Sequence, residues 1–305
     1  MSNSRTTTDA PVRMRSRLPA AARLVRVEYC VLGAVGVLAG AYLTGGAMLA
    51  APVLLSAAAV FFVAAGCYAF DDLSDLACDR VNRRADRPLV TGEVTPHTAR
   101  VIGTASFMLA VAAAAVAGTA SSLLIVLGAL VAMVYNRWLQ GIIPLKNVLF
   151  AGAFPVPLLI GWLSGGGEAG PLFLYTLGLV FVVGLGFETM IDVADAEGDR
   201  RSGITTFATR YGTMLSSRLA AALHIAAAVL VVLLFFLPVD ARLRWNIVFL
   251  ALAAAAALSN SLIGINLVKN HSAARVFVLK RQAFVTLNAG LLAILLGVLV
   301  ATPLP

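Results

Sequence analysis

Long apolar runs separated by short polar stretches dominate this chain. Nine runs stand out, at roughly 28–45, 47–70, 98–117, 119–135, 145–164, 170–190, 214–238, 244–266 and 282–302. They approach or exceed the ~20 residues that a helix needs to cross a bilayer. The run at 119–135 is the shortest and opens on Thr and Ser. The pattern predicts an all-α integral membrane protein with nine transmembrane helices.

Charge gives this pattern an orientation. With the N-terminus in the cytoplasm and nine alternating spans, 21 of the 23 Lys and Arg residues fall on the cytoplasmic side. Only Arg242 and Arg244 fall outside. That asymmetry obeys the positive-inside rule, and an eight-span arrangement would spoil it. The net charge of +8 is therefore assigned to topology and to anionic membrane lipids, with no nucleic-acid partner. Residues 1–22 read as a basic cytoplasmic tail and 23–305 as one membrane domain. A cleaved signal peptide over 13–51 is the rival reading, but its apolar stretch is long for that role and its loss would upset the charge count. Cys30, Cys67 and Cys78 form no C-x-x-C pair, and His97, His224 and His271 have no metal-ligand spacing.

Composition sharpens the picture at two places. Only 12% of residues are charged and the mean hydropathy is +0.91. The chain holds 15 acidic residues, and eight of them sit in two segments, FDDLSDLACD and IDVADAEGD. Asp72, Asp75 and Asp79 repeat as Asp192, Asp195 and Asp199, 120 residues later, in the pattern D-x-x-D-x-x-x-D. Carboxylates beside a membrane are costly and repel one another, so gathering them twice calls for a cation. If each segment continues its transmembrane helix, positions i, i+3 and i+7 share a face. Six carboxylates then converge where the two helices meet. Such hard oxygen ligands suit Mg2+, which keeps several waters and bridges to substrate phosphates.

Arginines follow both clusters: Arg80, Arg83, Arg84 and Arg87 after the first, and Arg200, Arg201 and Arg210 after the second. Guanidinium forks match phosphate oxygens. The segments RPLVTGEVTP and SGITTFATRYG carry Pro and Gly at turn positions and read as ordered loops. A diphosphate held by metal ions above an apolar bundle points to a lipid-tailed substrate. Ionising an allylic C–O bond would leave a carbocation, which the aromatic rings of Tyr68, Phe70, Tyr135, Phe187 and Tyr211 could face, although each alone is as well explained by packing.

These residues resemble the UbiA superfamily of intramembrane prenyltransferases. The first signature of that family appears as Asp71-Asp72-Leu-Ser-Asp75-Leu-Ala-Cys-Asp79, followed by Asn82-Arg83, Arg87-Pro88-Leu89 and Thr91-Gly92. The second appears as Asp192 through Asp199, followed by Gly203, Thr205, Thr206, Arg210 and Tyr211-Gly212, with Glu188 four residues ahead. The resemblance extends over all nine spans. It implies a bundle around a central cavity with a cytoplasmic cap. It implies Mg2+-dependent transfer from an isoprenyl diphosphate to an aromatic or lipid acceptor. Asp72, Asp75, Asp79, Asp192, Asp195 and Asp199 would hold the metals. Arg83, Arg87, Lys146 and Arg200 would hold the diphosphate, with Asn147, Tyr135, Asp71 and Glu188 also lining the substrate site.

Two departures from the family pattern bear on the acceptor. Asp71 stands where Asn is usual, adding a charge and losing an amide donor. Gln140 stands where a Lys is usual, so Arg137 or Lys146 would supply that cation. A terpene cyclase on the same scaffold would keep both metal clusters. A transporter would want ionisable groups in mid-span, where His224 is the main exception. A CDP-alcohol phosphotransferase would want all its Asp in one segment.

Overall fold

The computed structural model describes residues 18–81, 84–118, 120–134 and 142–301. Every regular element in them is helical: α1 (Ala20–Leu24), α2 (Val27–Leu43), α3 (Ala51–Ser74), α4 (Leu76–Val81), α5 (Pro88–Thr91), α6 (Pro96–Ala117), α7 (Ala120–Val134), α8 (Leu145–Ala153), α9 (Val156–Gly165), α10 (Pro171–Ser202), α11 (Phe207–Tyr211), α12 (Thr213–Phe236), α13 (Ile247–Lys269) and α14 (Ala273–Ala301). Helix α1 takes up the last three residues of the segment read as tail.

Among the described residues, seven helical stretches are long and apolar enough to span a membrane, with α8 and α9 counted as one. They account for seven of the nine expected runs. The runs at 28–45 and 119–135 do form apolar helices, α2 and α7, but these have only 17 and 15 described residues. At 1.5 Å per residue their described parts measure about 25 Å or less, against a hydrocarbon thickness of ~30 Å.

Small residues set how closely the helices approach. Helix α2 lies against α9 backbone to backbone: a Cβ added to Gly40 would sit 2.0 Å from the Leu158 carbonyl oxygen, and one added to Gly161 would sit 1.9 Å from that of Val37. This is the small-residue contact that lets apolar helices associate where no hydrophobic drive exists. Gly161→Ala is therefore expected to force the helices apart and to cost at least about 1–3 kcal/mol. Gly178→Ala, where a Cβ meets nothing within 4 Å, should leave stability unchanged or raised. Thermal unfolding of the two variants in detergent checks the contrast. Equal melting would show that the α2–α9 contact does not hold the bundle together.

The largest apolar core brings α10, α12, α13 and α14 together through Phe173, Val183, Val231, Leu234, Phe249 and Ile294. Helix α3 packs on α6 and α2, and α8 packs on α10. The short helices α4, α5 and α11 lie beyond the ends of α3 and α10, where both acidic segments sit.

Candidate active site

The two acidic segments are mounted differently. Helix α10 runs unbroken for 32 residues, so Asp192, Asp195 and Asp199 share one continuous helix as expected. Its end is fixed by Gly203, whose positive φ of 71° suits a residue without Cβ, and by a capping box between Thr206 and Thr209 that starts α11. The first segment departs from the expected single helix. Helix α3 stops at Ser74, where the Ser74 hydroxyl donates to the Asp71 carbonyl at 2.9 Å. Asp75 occupies the C-cap, and Asp79 lies on the separate helix α4. Side-chain bonding to a carbonyl one turn back competes with the helix ladder and favours such a break.

Each half of the site carries its own cations. Asp72 is buried; its Oδ1 accepts from Arg26 at 2.8 Å and also from Arg87. Arg87 Nε lies 3.7 Å from Asp79. In the other half Asp192 is fully buried. Lys146 of α8 donates to its Oδ1 and lies 3.0 Å from Glu188, while Asn147 donates to its Oδ2 at 2.9 Å. Arg84 joins the two halves. It donates twice to Asp86, at 3.0 Å each, and its other nitrogen lies 3.8 Å from Asp195.

Electrostatics follow from this layout. Asp75 is pushed up to about 6, first by burial and then by the charges of Asp71 and Asp79. Burial also raises Asp79, against the pull of Arg87 and Arg84. Burial opposes ionisation of Asp86 too, but the Arg84 hydrogen bonds and charge prevail and hold it at about 2. Asp86 is thus spent on positioning Arg84, whereas Asp75 is left harder to ionise than a free carboxyl, a cost that a bound cation would remove.

Among the described residues no three carboxylates lie close enough to share one ion. The expected convergence of six carboxylates on one point gives way to two neutralised half-sites. The donor set nevertheless fits a hard cation. Asp72 Oδ2 and Asn147 Oδ1 are buried acceptors with no hydrogen-bond partner. Such oxygens are costly to leave unmatched, and Mg2+ is bound by oxygens of this kind.

The expected residues divide accordingly. Asp72, Asp79, Arg87, Asp192, Asp195, Lys146, Asn147 and Glu188 come together through the contacts above. Asp71 and Asp75 lie at the α3 terminus beside them, and Asp199 lies two turns beyond Asp192. Arg200 is half-exposed and pairs with Glu197 at 3.4 Å, away from the buried carboxylates. Arg83, Tyr135 and Arg137 lie outside the described residues. Phe70 stacks on Phe107 of α6, which is packing. Arg26 was legible in sequence only as an orientation charge; its left-handed backbone at φ 49° turns the chain between α1 and α2. Its guanidinium lies on Asp72 and 4.5 Å from the Tyr68 ring centre.

The profile of the UbiA prenyltransferase family matches residues 33–301. The chain belongs to the UbiA prenyltransferase family. It is an integral membrane protein and a prenyltransferase. Among curated relatives, the digeranylgeranylglyceryl phosphate synthase of Methanopyrus kandleri is 31% identical over 235 residues, covering 77% of this chain and 84% of its own. Two solved structures share the fold. A UbiA homologue from Aeropyrum pernix aligns with a TM-score of 0.71 at 22% identity, over 90% of this chain and 99% of its own. One from Archaeoglobus fulgidus, bound to DMAPP and Mg2+, aligns with a TM-score of 0.62 at 19% identity, over 90% and 99%.

Proposed function

We propose that this UbiA prenyltransferase moves an isoprenyl group from an allylic isoprenyl diphosphate to the free hydroxyl of a glycerophosphate lipid, releasing diphosphate. The observation that carries this reading is the Arg84 bridge. It ties the two carboxylate half-sites into one polar end of an apolar bundle, as a diphosphate with a hydrocarbon tail requires. The acceptor follows from the relatives: digeranylgeranylglyceryl phosphate carries two isoprenoid chains, so the second is added to a lipid already bearing one. Aromatic acceptors are the broader alternative within the family.

In the proposed reaction the C1–O bond of the donor breaks and its electron pair leaves with the diphosphate. The acceptor oxygen forms the new C–O bond and gives up its proton. Bound Mg2+, held by Asp72, Asp75 and Asp79 on one side and Asp192, Asp195 and Asp199 on the other, would supply Lewis-acid neutralisation of the leaving charge. Arg87 and Lys146 provide fixed positive charge where the diphosphate builds up negative charge, and the family pattern assigns Arg83 the same role. Asn147 and Glu188 position Lys146 and Asp192, while Asp71 lies beside the approach and Tyr135 is assigned to the substrate by the family pattern alone. The apolar helices below exclude water that would otherwise capture the carbocation. The two short apolar helices complete a nine-helix arrangement, and the polar end with α4, α5 and α11 forms a cap facing the cytoplasm. Residues 23–305 make up this domain, with 1–22 as its tail.

The test is direct. Purified protein in detergent receives geranylgeranyl diphosphate, geranylgeranylglyceryl phosphate and Mg2+, and the extracts are analysed by mass spectrometry. A Mg2+-dependent digeranylgeranyl product that EDTA abolishes is expected. A cyclic terpene formed without any acceptor would replace this reading by a cyclase.

A further inference from the structure

Lys280 on α14 has no role in the diphosphate site as described, yet its helix neighbours meet groups that border that site. It lies on the same helix face as Phe277, three residues before, and Phe284, four residues after. Each ring supports a neighbour. The Arg84 guanidinium lies 4.6 Å from the Phe277 ring centre. Tyr29 lies 4.5 Å from Phe284 and 5.9 Å from Tyr68, which in turn lies beneath Arg26. The half-buried Lys280 is thus set between Arg84 and Arg26, two cations brought from elements far apart in the chain.

The charges facing it are Arg26, Arg87 and Arg84, which repel it, and Asp195, which attracts it. Those arginines are already matched: Arg26 and Arg87 share Asp72, and Arg84 holds Asp86. Among the described residues no carboxylate lies within ion-pair distance of the Lys280 ammonium. A half-buried ammonium among three guanidiniums is unfavourable unless something anionic enters. The carboxylates that suit metal-bound diphosphate lie on α3, α4 and α10, whereas α14 presents aromatic rings and a cation. That combination suits a second anion of lower charge, next to but apart from the first.

We propose that Lys280, flanked by Arg26 and Arg84, forms a phosphomonoester subsite that seats the headgroup of the acceptor. This deepens the proposed function and rests on it for the identity of the lipid. The subsite would hold the acceptor phosphate on the α14 side and direct its glycerol hydroxyl toward the donor between the half-sites. It also gives a physical basis for choosing a glycerophosphate lipid over a neutral aromatic acceptor, since such a molecule would leave the ammonium unmatched.

The test uses the full chain in detergent with Mg2+ and measures equilibrium binding of geranylgeranylglyceryl phosphate to the wild type, Lys280→Met and Lys280→Arg. Lys280→Met should weaken binding at least tenfold, and Lys280→Arg should restore it to within about threefold. Geranylgeranylglycerol, which lacks the phosphate, should bind all three alike, and geranylgeranyl diphosphate affinity should change less than twofold. Inorganic phosphate that displaces the lipid at millimolar concentration would show that the subsite accepts free phosphate; no displacement would assign it to the lipid headgroup. Equal weakening of diphosphate and phosphate lipid would overturn the proposal by placing Lys280 in the donor site. Unchanged lipid binding in Lys280→Met would overturn it outright. Binding is measured without turnover, so a wild type that binds the lipid but transfers nothing would count against the proposed reaction alone.

Discussion

Asp72→Asn is expected to leave a folded protein whose turnover falls by about 10²–10³-fold and whose remaining activity needs more Mg2+. The substitution is close to isosteric. The Asn Oδ1 can still accept from Arg26 at the α1–α2 turn and from Arg87 at the start of α5, so both contacts survive. What changes is Oδ2, the buried oxygen with no partner. In Asn that position becomes an NH2 donor, which cannot bind a cation. The loss therefore falls chiefly on metal binding, with a smaller cost to the scaffold from the missing counter-charge, unlike Asp72→Ala, which would strip both arginines of their hydrogen bonds as well. Mg2+ titration of the transfer assay, with thermal unfolding alongside, reads both effects. Wild-type activity at unchanged Mg2+ would remove Asp72 from the metal site and with it the two-cluster mechanism.

Lys146→Met should destabilise the protein by about 3–5 kcal/mol, the usual cost of stripping one partner from a buried ion pair. Glu188 and Asp192 stand four residues apart on α10, on one face, and both are buried. Lys146 is the cation that lies between them. Without it two like charges face each other in an apolar wall, with Asn147 alone among the described residues still donating to Asp192. A second substitution, Glu188→Gln, removes one of those charges and should recover part of the loss, giving a clear coupling in a double-mutant cycle. Denaturant unfolding in detergent measures it. A single mutant as stable as the wild type would show that this pairing contributes nothing to the folded state.

What could be read from sequence, and what could not, follows the range of the interactions. The apolar runs and the acidic repeats are local patterns, so most helices and the whole second cluster were legible from spacing alone. The break at Asp75 was not, because D-x-x-D-x-x-x-D fits an unbroken helix equally well and a Ser back-bond decides otherwise. Arg26 looks like an ordinary orientation charge, and Arg84 like one of several arginines suited to phosphate. Their roles depend on Asp72, 46 residues away, and Asp195, more than 100 residues away. Lys280 is harder still, since its place depends on two rings of its own helix meeting groups from two distant segments, Arg84 and Tyr29.

The unequal mounting of the two carboxylate sets predicts how the gene can vary in length. Helix α10 is a single strut of about 48 Å at 1.5 Å per residue. One residue inserted anywhere between its packed lower half and Asp192 would swing all three carboxylates about 100° around the axis, away from Arg84 and Lys146. The corner at Asp75 has no such phase to keep. There the chain already leaves one helix and starts another, so an added or lost residue can be taken up by the bend while Asp72 stays on its arginines. Insertions and deletions among functional variants of this chain should therefore gather around the α3–α4 corner and be excluded from the strut.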